Sequence, residues 1–250
     1  MIVRQAKLMC TAVQFLTRLP TPQFHDFRPE WLTESARYFP LVGMLVGALS
    51  AAVLLAASQV WPAPVAIILA LVCATAITGA FHEDGLADFF DSFGGATREA
   101  RLAIMKDSRI GTFGALALMA AMALKAAALL AMPIETAAAA LVASHAGGRI
   151  ATLAGLAVLP YAGQIEGAKI RPLSGISDPR HAAIAIGTGL APLILLSGPQ
   201  AVTGLALGCI AGALIAVLAW RLIRGVTGDA LGAMEQAFEI GLLLGVAACV

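Results

Sequence analysis

Hydrophobic residues run in long stretches along this chain, at about 39–60, 63–81, 112–132, 137–159, 182–198, 201–220 and 236–250. A helix needs roughly 17–25 apolar residues to cross the hydrocarbon core of a bilayer. The fifth stretch is short and broken by Pro192, and the last is also short. The pattern predicts an all-α, polytopic membrane helix bundle of about seven spans. Ahead of it, Arg4 and Lys7 precede a short apolar run from Leu8 to Leu16. No small-residue cleavage site follows before Arg18 and Pro20, so an amphipathic helix lying at the interface is expected rather than a signal peptide. The longest polar interruption is 82–111. No Pro/Ser-rich linker divides the chain, which reads as one membrane domain over 1–250. Residues 1–38 form its interfacial N-terminal segment, and 82–111 its main polar loop.

Composition supports the membrane reading. The chain is 60% hydrophobic and only 12% charged, about half the charged share of a soluble domain. Mean hydropathy is +0.88. A net charge of +1, with no basic run or aromatic-basic stripe, argues against nucleic acid as a partner. Cys10, Cys73, Cys209 and Cys249 form no CxxC pair, so neither a zinc site nor a redox motif is suggested.

Charge also orients the bundle. With a cytoplasmic N-terminus, the segments 1–38, 82–111, 160–181 and 221–235 lie inside. They hold Arg4, Lys7, Arg18, Arg28, Arg37, Arg98, Arg101, Lys106, Arg109, Lys169, Arg171, Arg180, Arg221 and Arg224, which is 14 of the 16 basic residues. The opposite turns hold none, as the positive-inside rule requires. Gly43/Gly47, Gly204/Gly208/Gly212 and Gly241/Gly245 repeat at four-residue spacing and predict close helix packing. No internal repeat of the kind found in many transporters is visible.

The chemistry concentrates in Phe81-His82-Glu83-Asp84-Gly85-Leu86-Ala87-Asp88-Phe89-Phe90-Asp91. On a helix Asp84, Asp88 and Asp91 share one face. No basic residue stands three or four positions away to offset their repulsion. Oxygen-only ligands at a membrane edge suit Mg²⁺ or Mn²⁺. His82 could orient a carboxylate or carry a proton, and Glu83 points off the aspartate face toward solvent. Downstream, Lys106-Asp107-Ser108-Arg109 combines cations and a hydroxyl suited to a phosphate ester. Arg98 and Arg101 read as topology charges. Arg149, one turn from His145, lies mid-span and is costly there unless it meets an anionic ligand or an acid from another helix such as Glu239. Lys125 is expected to snorkel toward the far interface. In the last polar loop, Thr227 and Asp229 stand among Gly225, Gly228 and Gly232, where backbone could approach a ligand.

These residues resemble the cobalamin synthase (adenosylcobinamide-GDP ribazoletransferase) family. The family's His-x-Asp-Gly-Leu-Ala-Asp-x-x-Asp run is matched by His82 through Asp91. The similarity continues in Ile104 to Gly114, in Phe15-Leu16-Thr17-Arg18-Leu19-Pro20 and in Arg37 to Gly43. It returns in Leu159-Pro160-Tyr161-Ala162 and in Gly225 to Gly232. Ser92 stands where the family usually has glycine, and Phe89-Phe90 replace a smaller pair, with every carboxylate in place. The resemblance implies a transferase that joins adenosylcobinamide-GDP and α-ribazole, or its 5′-phosphate, giving adenosylcobalamin or its 5′-phosphate and GMP. It implies Mg²⁺ as cofactor and a bacterial inner-membrane location. The lipid bilayer and other late cobalamin-pathway enzymes are the candidate partners. For that reaction our own assignment of roles, beyond what the resemblance implies, expects Asp84, Asp88 and Asp91 to hold metal. Asp107 or Asp229 is the expected base, with His82 beside them. Lys106, Ser108, Arg109, Arg149 and Thr227 are expected on substrate. Two other classes fit the sequence less well. A CDP-alcohol phosphotransferase would carry Asp-x-x-Asp-Gly-x-x-Ala-Arg, which is absent. A transporter would need acids at mid-membrane.

Overall fold

The computed structural model describes residues 2–24, 26–163 and 178–250. Eleven α-helices follow one another among them: α1 (Ile2–Leu16), α2 (Glu30–Ser35), α3 (Phe39–Ala57), α4 (Ala63–Thr78), α5 (Phe81–Asp91), α6 (Arg98–Ile104), α7 (Thr112–Leu130), α8 (Ile134–Val158), α9 (Pro179–Leu190), α10 (Gly198–Ile223) and α11 (Gly228–Ala247). Lys169 and Arg171 lie outside the described residues.

Prolines and small polar residues set the boundaries. Pro40, Pro64, Pro179 and Pro199 stand in first turns, where a missing N–H costs nothing. Ser197 and Gln200 form a capping box on α10, and Thr227 caps α11. After α4, Gly79 and Ala80 are both left-handed (φ 66° and 58°) and turn the chain by 88° into α5. Gly79 tolerates that conformation, but Ala80 does not do so freely.

Five helical segments among the described residues are long and apolar enough to span a membrane: Glu30–Ala57, α7, α8, α10 and α11. We read α4 as a further, shorter crossing, with α5 lying across its polar end. The expected fifth span is α9, followed by a 3₁₀ turn (Ala191–Leu195) that contains Pro192. Ala185 of α9 packs with Leu16, Phe39 and Leu153, whereas Leu196 packs with Leu54 and Met132 at the opposite end. This irregular segment therefore runs the depth of the bundle. The last span begins at Gly228, not at 236, and so carries Glu235, Gln236 and Glu239 inside.

The expected glycine contacts are present. A Cβ on Gly43 or Gly47 would collide with the α8 backbone at His145 or Leu141, and one on Gly241 or Gly245 with α10 at Leu207 or Thr203. Such bare faces let helices approach closely where hydrophobic burial gives no driving force. Outside the bundle, α1 buries Leu8, Ala12, Val13 and Leu16. Its Gln5 accepts from Arg37 (2.9 Å) and from the Tyr38 hydroxyl (2.7 Å). Arg37 also meets His181 of α9.

Candidate functional site

The loops of one end of the bundle converge on α5. The Arg18 N–H donates to the Ile77 carbonyl at 2.7 Å. Arg98 and Arg101 reach the terminal carbonyls of α10 at Ile223 (2.8 Å) and Leu222 (3.3 Å), where the helix dipole favours cations. The residues after α8 pair with those before α11: the Ala162 N–H donates to Val226 (2.8 Å), and the Val226 N–H to Pro160 (2.9 Å). Arg98 and Arg101 are thus structural at this end.

Asp84 is exposed, and Asp88 and Asp91 are half-buried on α5. Asp229, in the first turn of α11, joins them. A Cβ on Gly85 would lie 3.0 Å from the Asp229 Cα, so α11 and α5 touch at bare backbone. Burial, followed by the charges of Asp84, Asp229 and Asp91, pushes the Asp88 carboxyl up to about 7. The same surroundings raise the Tyr161 phenol, through burial and then Asp229. Four acids crowded at this end form an oxygen-only donor set. That chemistry fits a hard divalent cation. Among the described residues no three aspartate oxygens lie within 4.8 Å of one another.

Asp91 has a second attachment. Its carboxylate accepts from the Gly111 N–H (2.7 Å) and the Gly114 N–H (2.8 Å), at the start of α7. A Cβ at either glycine would come within 2.5 Å of a carboxylate oxygen. Asp91 therefore caps α7 as well as facing the acidic cluster, and each oxygen keeps a lone pair for another ligand.

The other expected site residues separate into two groups. Lys106, Ser108 and Arg109 are exposed on the loop between α6 and α7. Asp107 and Arg109 grip one another at 2.6–3.1 Å, and hydrogen bonds from Arg109 bring the Asp107 carboxyl down to about 2. So held, Asp107 is a weak base. Thr227 is buried, and its hydroxyl accepts from the Ala230 N–H (3.2 Å) as the N-cap of α11. It orients α11 rather than facing outward to substrate. His82, expected to orient a carboxylate or carry a proton, is buried in the first turn of α5.

Arg149 and Lys125 are the largest departures. Arg149 contacts Glu235 and Glu239 (2.8 Å to the latter) and donates to the His145 carbonyl (2.9 Å). Lys125 does not snorkel. It is buried, 2.5 Å from Glu239 and 2.8 Å from Gln236. His145 Nδ1 lies 2.5 Å from Glu239. His145, Glu235 and Glu239 are close enough to ligate an ion, but Lys125 and Arg149 already supply the counter-charge. A buried cation in lipid needs a partner acid, and this cluster provides it. Glu83, expected in solvent, is half-buried and belongs to the same cluster. Its carboxylate accepts from Gln236 and from the Thr75 hydroxyl, each at 3.4 Å.

Comparison with known proteins gives a consistent answer. Residues 8–247 match the cobalamin-5-phosphate synthase family. A protein of Leptothrix cholodnii named adenosylcobinamide-GDP ribazoletransferase is 43% identical, covering 98% of this chain and 96% of its own. One of the same name from Shewanella baltica strain OS195 is 39% identical, covering 95% and 92%. No solved structure matches the chain.

Proposed function

We propose, for a chain that belongs to the cobalamin-5-phosphate synthase family, the activity in its relatives' name: adenosylcobinamide-GDP ribazoletransferase, the final assembly step of cobalamin. The match along nearly the whole chain carries this reading, and the acidic helix at one end of the bundle gives it a site. The mid-membrane acids Glu235 and Glu239 are tied to Lys125 and Arg149, which removes the opening they would give a transporter.

In this reading the diphosphate of adenosylcobinamide-GDP lies over α5. Asp84, Asp88, Asp91 and Asp229 would hold Mg²⁺, which when bound neutralises non-bridging phosphate oxygens. A ribose hydroxyl of α-ribazole, or of its 5′-phosphate, forms a bond to the phosphorus on the cobinamide side. The bridging P–O bond to GMP breaks, and GMP leaves with that oxygen. Asp229 accepts the hydroxyl proton. Lys106 and Arg109, on the loop between α6 and α7 whose end binds Asp91, offset charge on departing GMP. Ser108 is available to a phosphate oxygen.

The basic residues gathered at the same end support a cytoplasmic site in a bacterial inner membrane. The bilayer itself is the proposed partner, and late cobalamin-pathway enzymes are candidates for handing over a substrate of this size. Release of GMP from adenosylcobinamide-GDP by purified, lipid-reconstituted protein, dependent on both α-ribazole and Mg²⁺, tests the reading.

A further inference from the structure

The helix that carries the aspartates is held against α11 by an unusual contact. One stripe of α11 faces α5: Asp229, Gly232 and Gln236, spaced i, i+3 and i+7. Asp229 backs onto Gly85. A Cβ on Gly232 would meet the His82 carbonyl at 3.1 Å and the Gly85 Cα at 3.3 Å. Backbone therefore meets backbone at Gly85 and Gly232, flanked by the packing of Leu86 and Phe89 with Ala230, Leu231 and Met234. The third residue of the stripe adds a polar link. Gln236 is buried, its Nε2 donating to Glu83 at 3.4 Å and to Glu235 at 3.0 Å, while its Oε1 accepts from Lys125 at 2.8 Å.

The chemistry of that position is restrictive. A carboxamide can accept from an ammonium group and donate to carboxylates at once. A glutamate there could not donate and would add a third acid beside Glu83 and Glu235. An apolar residue could do neither. Beyond Gln236 the buried cluster is strongly tied. Lys125 and His145 each meet Glu239 at 2.5 Å, and Arg149 holds both glutamates. The cluster thus joins α7, α8 and α11. Two of these helices also supply site groups: α7 the N–H donors that hold Asp91, and α11 Asp229 itself.

We propose that Gln236 and Glu83 are positioning residues for the aspartate centre. Through them the membrane-buried ion cluster sets the register of α5 on α11, and so the separation of Asp229 from Asp84 and Asp88. Glu83 sits inside the bundle, one oxygen buried without a hydrogen bond, although it directly precedes an exposed residue. Such a carboxylate is costly to keep inward, and the register it fixes is the compensating gain. The inference rests on reading the aspartates as metal carboxylates.

Mn²⁺ serves as the probe, since it takes the same oxygen ligands as Mg²⁺ and reports its binding by electron paramagnetic resonance. The full-length protein is titrated in lipid nanodiscs as wild type, Gln236→Met, Glu83→Met and Glu83→Gln. Outer-shell partners are typically worth 10–100-fold in metal affinity. Gln236→Met and Glu83→Met should each weaken Mn²⁺ binding roughly 10-fold. Glu83→Gln, which keeps an oxygen toward Gln236 and Thr75, should stay close to wild type. The Mg²⁺ concentration for half-maximal turnover should shift in parallel, with the KM for α-ribazole unmoved. Glu83→Met gives the same readout should Gln236→Met fail to fold. Wild-type Mn²⁺ affinity in the methionine variants overturns the inference while leaving the metal reading intact. Equal loss in Glu83→Gln overturns it too, since charge rather than the hydrogen-bonded link would then be at work. A wild-type protein that binds no Mn²⁺ sinks the metal reading and this inference together.

Discussion

Arg149→Met tests the pairing inside the membrane. Glu239 would keep Lys125 and His145, each at 2.5 Å. Glu235 would lose its contact with Arg149, its cationic partner, and keep the Gln236 amide, at 3.0 Å, beside Glu239. Glu235 is fully buried, so it must take up a proton or drag water inward. Protonating a carboxyl of solution value ~4.3 at pH 7 costs about 4 kcal/mol, at ~1.4 kcal/mol per unit. Breaking a buried ion pair by removing one partner costs a similar 3–5 kcal/mol or so. At roughly 2–4 °C per kcal/mol for a chain of this size, the melting temperature should fall by about 10 °C or more. The double variant Arg149→Met/Glu235→Gln removes the stranded charge and should recover most of the loss. Lowering the pH from 7 to 6 should shrink the single variant's deficit by about 1.4 kcal/mol, because the stranded acid is then more easily protonated. The assay is thermal unfolding in nanodiscs, followed by tryptophan fluorescence, with substrate affinity measured on the same samples. An unchanged melting temperature with weakened substrate binding would refute the argument and return Arg149 to the ligand.

Further outcomes follow from the polar end. Asp84→Asn and Asp88→Asn should leave metal-free stability unchanged or raised, by relieving repulsion, and should lose the Mg²⁺-induced rise in melting temperature; a full Mg²⁺ shift in both would remove them from the metal shell. The Asp88 carboxyl lies near 7 in the fold against ~3.9 unfolded, so the folded protein binds the extra proton between those values. Metal-free stability should therefore fall as pH rises from about 4 to 7, and Asp88→Asn should flatten that slope. Gly114→Ala would place a Cβ 2.4 Å from an Asp91 oxygen and 2.8 Å from the Ala87 carbonyl, so turnover and stability should both drop, whereas Gly94→Ala, in open space, should be silent. Single cysteines at Ala96 and Gly198, both exposed, should label from opposite faces of the membrane; labelling of both from the periplasmic side would overturn the topology.

Much of this arrangement is legible in the chain. The acidic face of α5 follows from i, i+4, i+7 spacing, and the tight helix contacts from glycines four apart. The buried ion cluster was hidden by the hydropathy pattern itself. Starting the last span at 236 set Glu235 outside, so that Glu239 alone stood as a candidate partner for Arg149 and Lys125 had none. Thr227 as an N-cap was the available signal, since it opens the helix at Gly228 and puts Glu235 and Gln236 inside, with Glu239 one turn later. Two cations in mid-span demand acids somewhere, and α11 is where they are. The attachment of Asp91 to α7 had a fainter trace in Gly111 and Gly114, three apart at a helix start. The inward turn of Glu83 had none, because it depends on the 88° bend at Gly79-Ala80 and on α11 lying beneath α5.

The central claim is that the aspartate end of this bundle exchanges GMP for α-ribazole. Its most direct measurement is GMP release from adenosylcobinamide-GDP by the reconstituted protein, with and without α-ribazole and Mg²⁺, in wild type and Asp88→Asn. The account predicts release only with both additions, a corrinoid product carrying the ribazole in equal amount, and near-complete loss in Asp88→Asn. GMP release that persists in Asp88→Asn, or that proceeds without Mg²⁺, would contradict it.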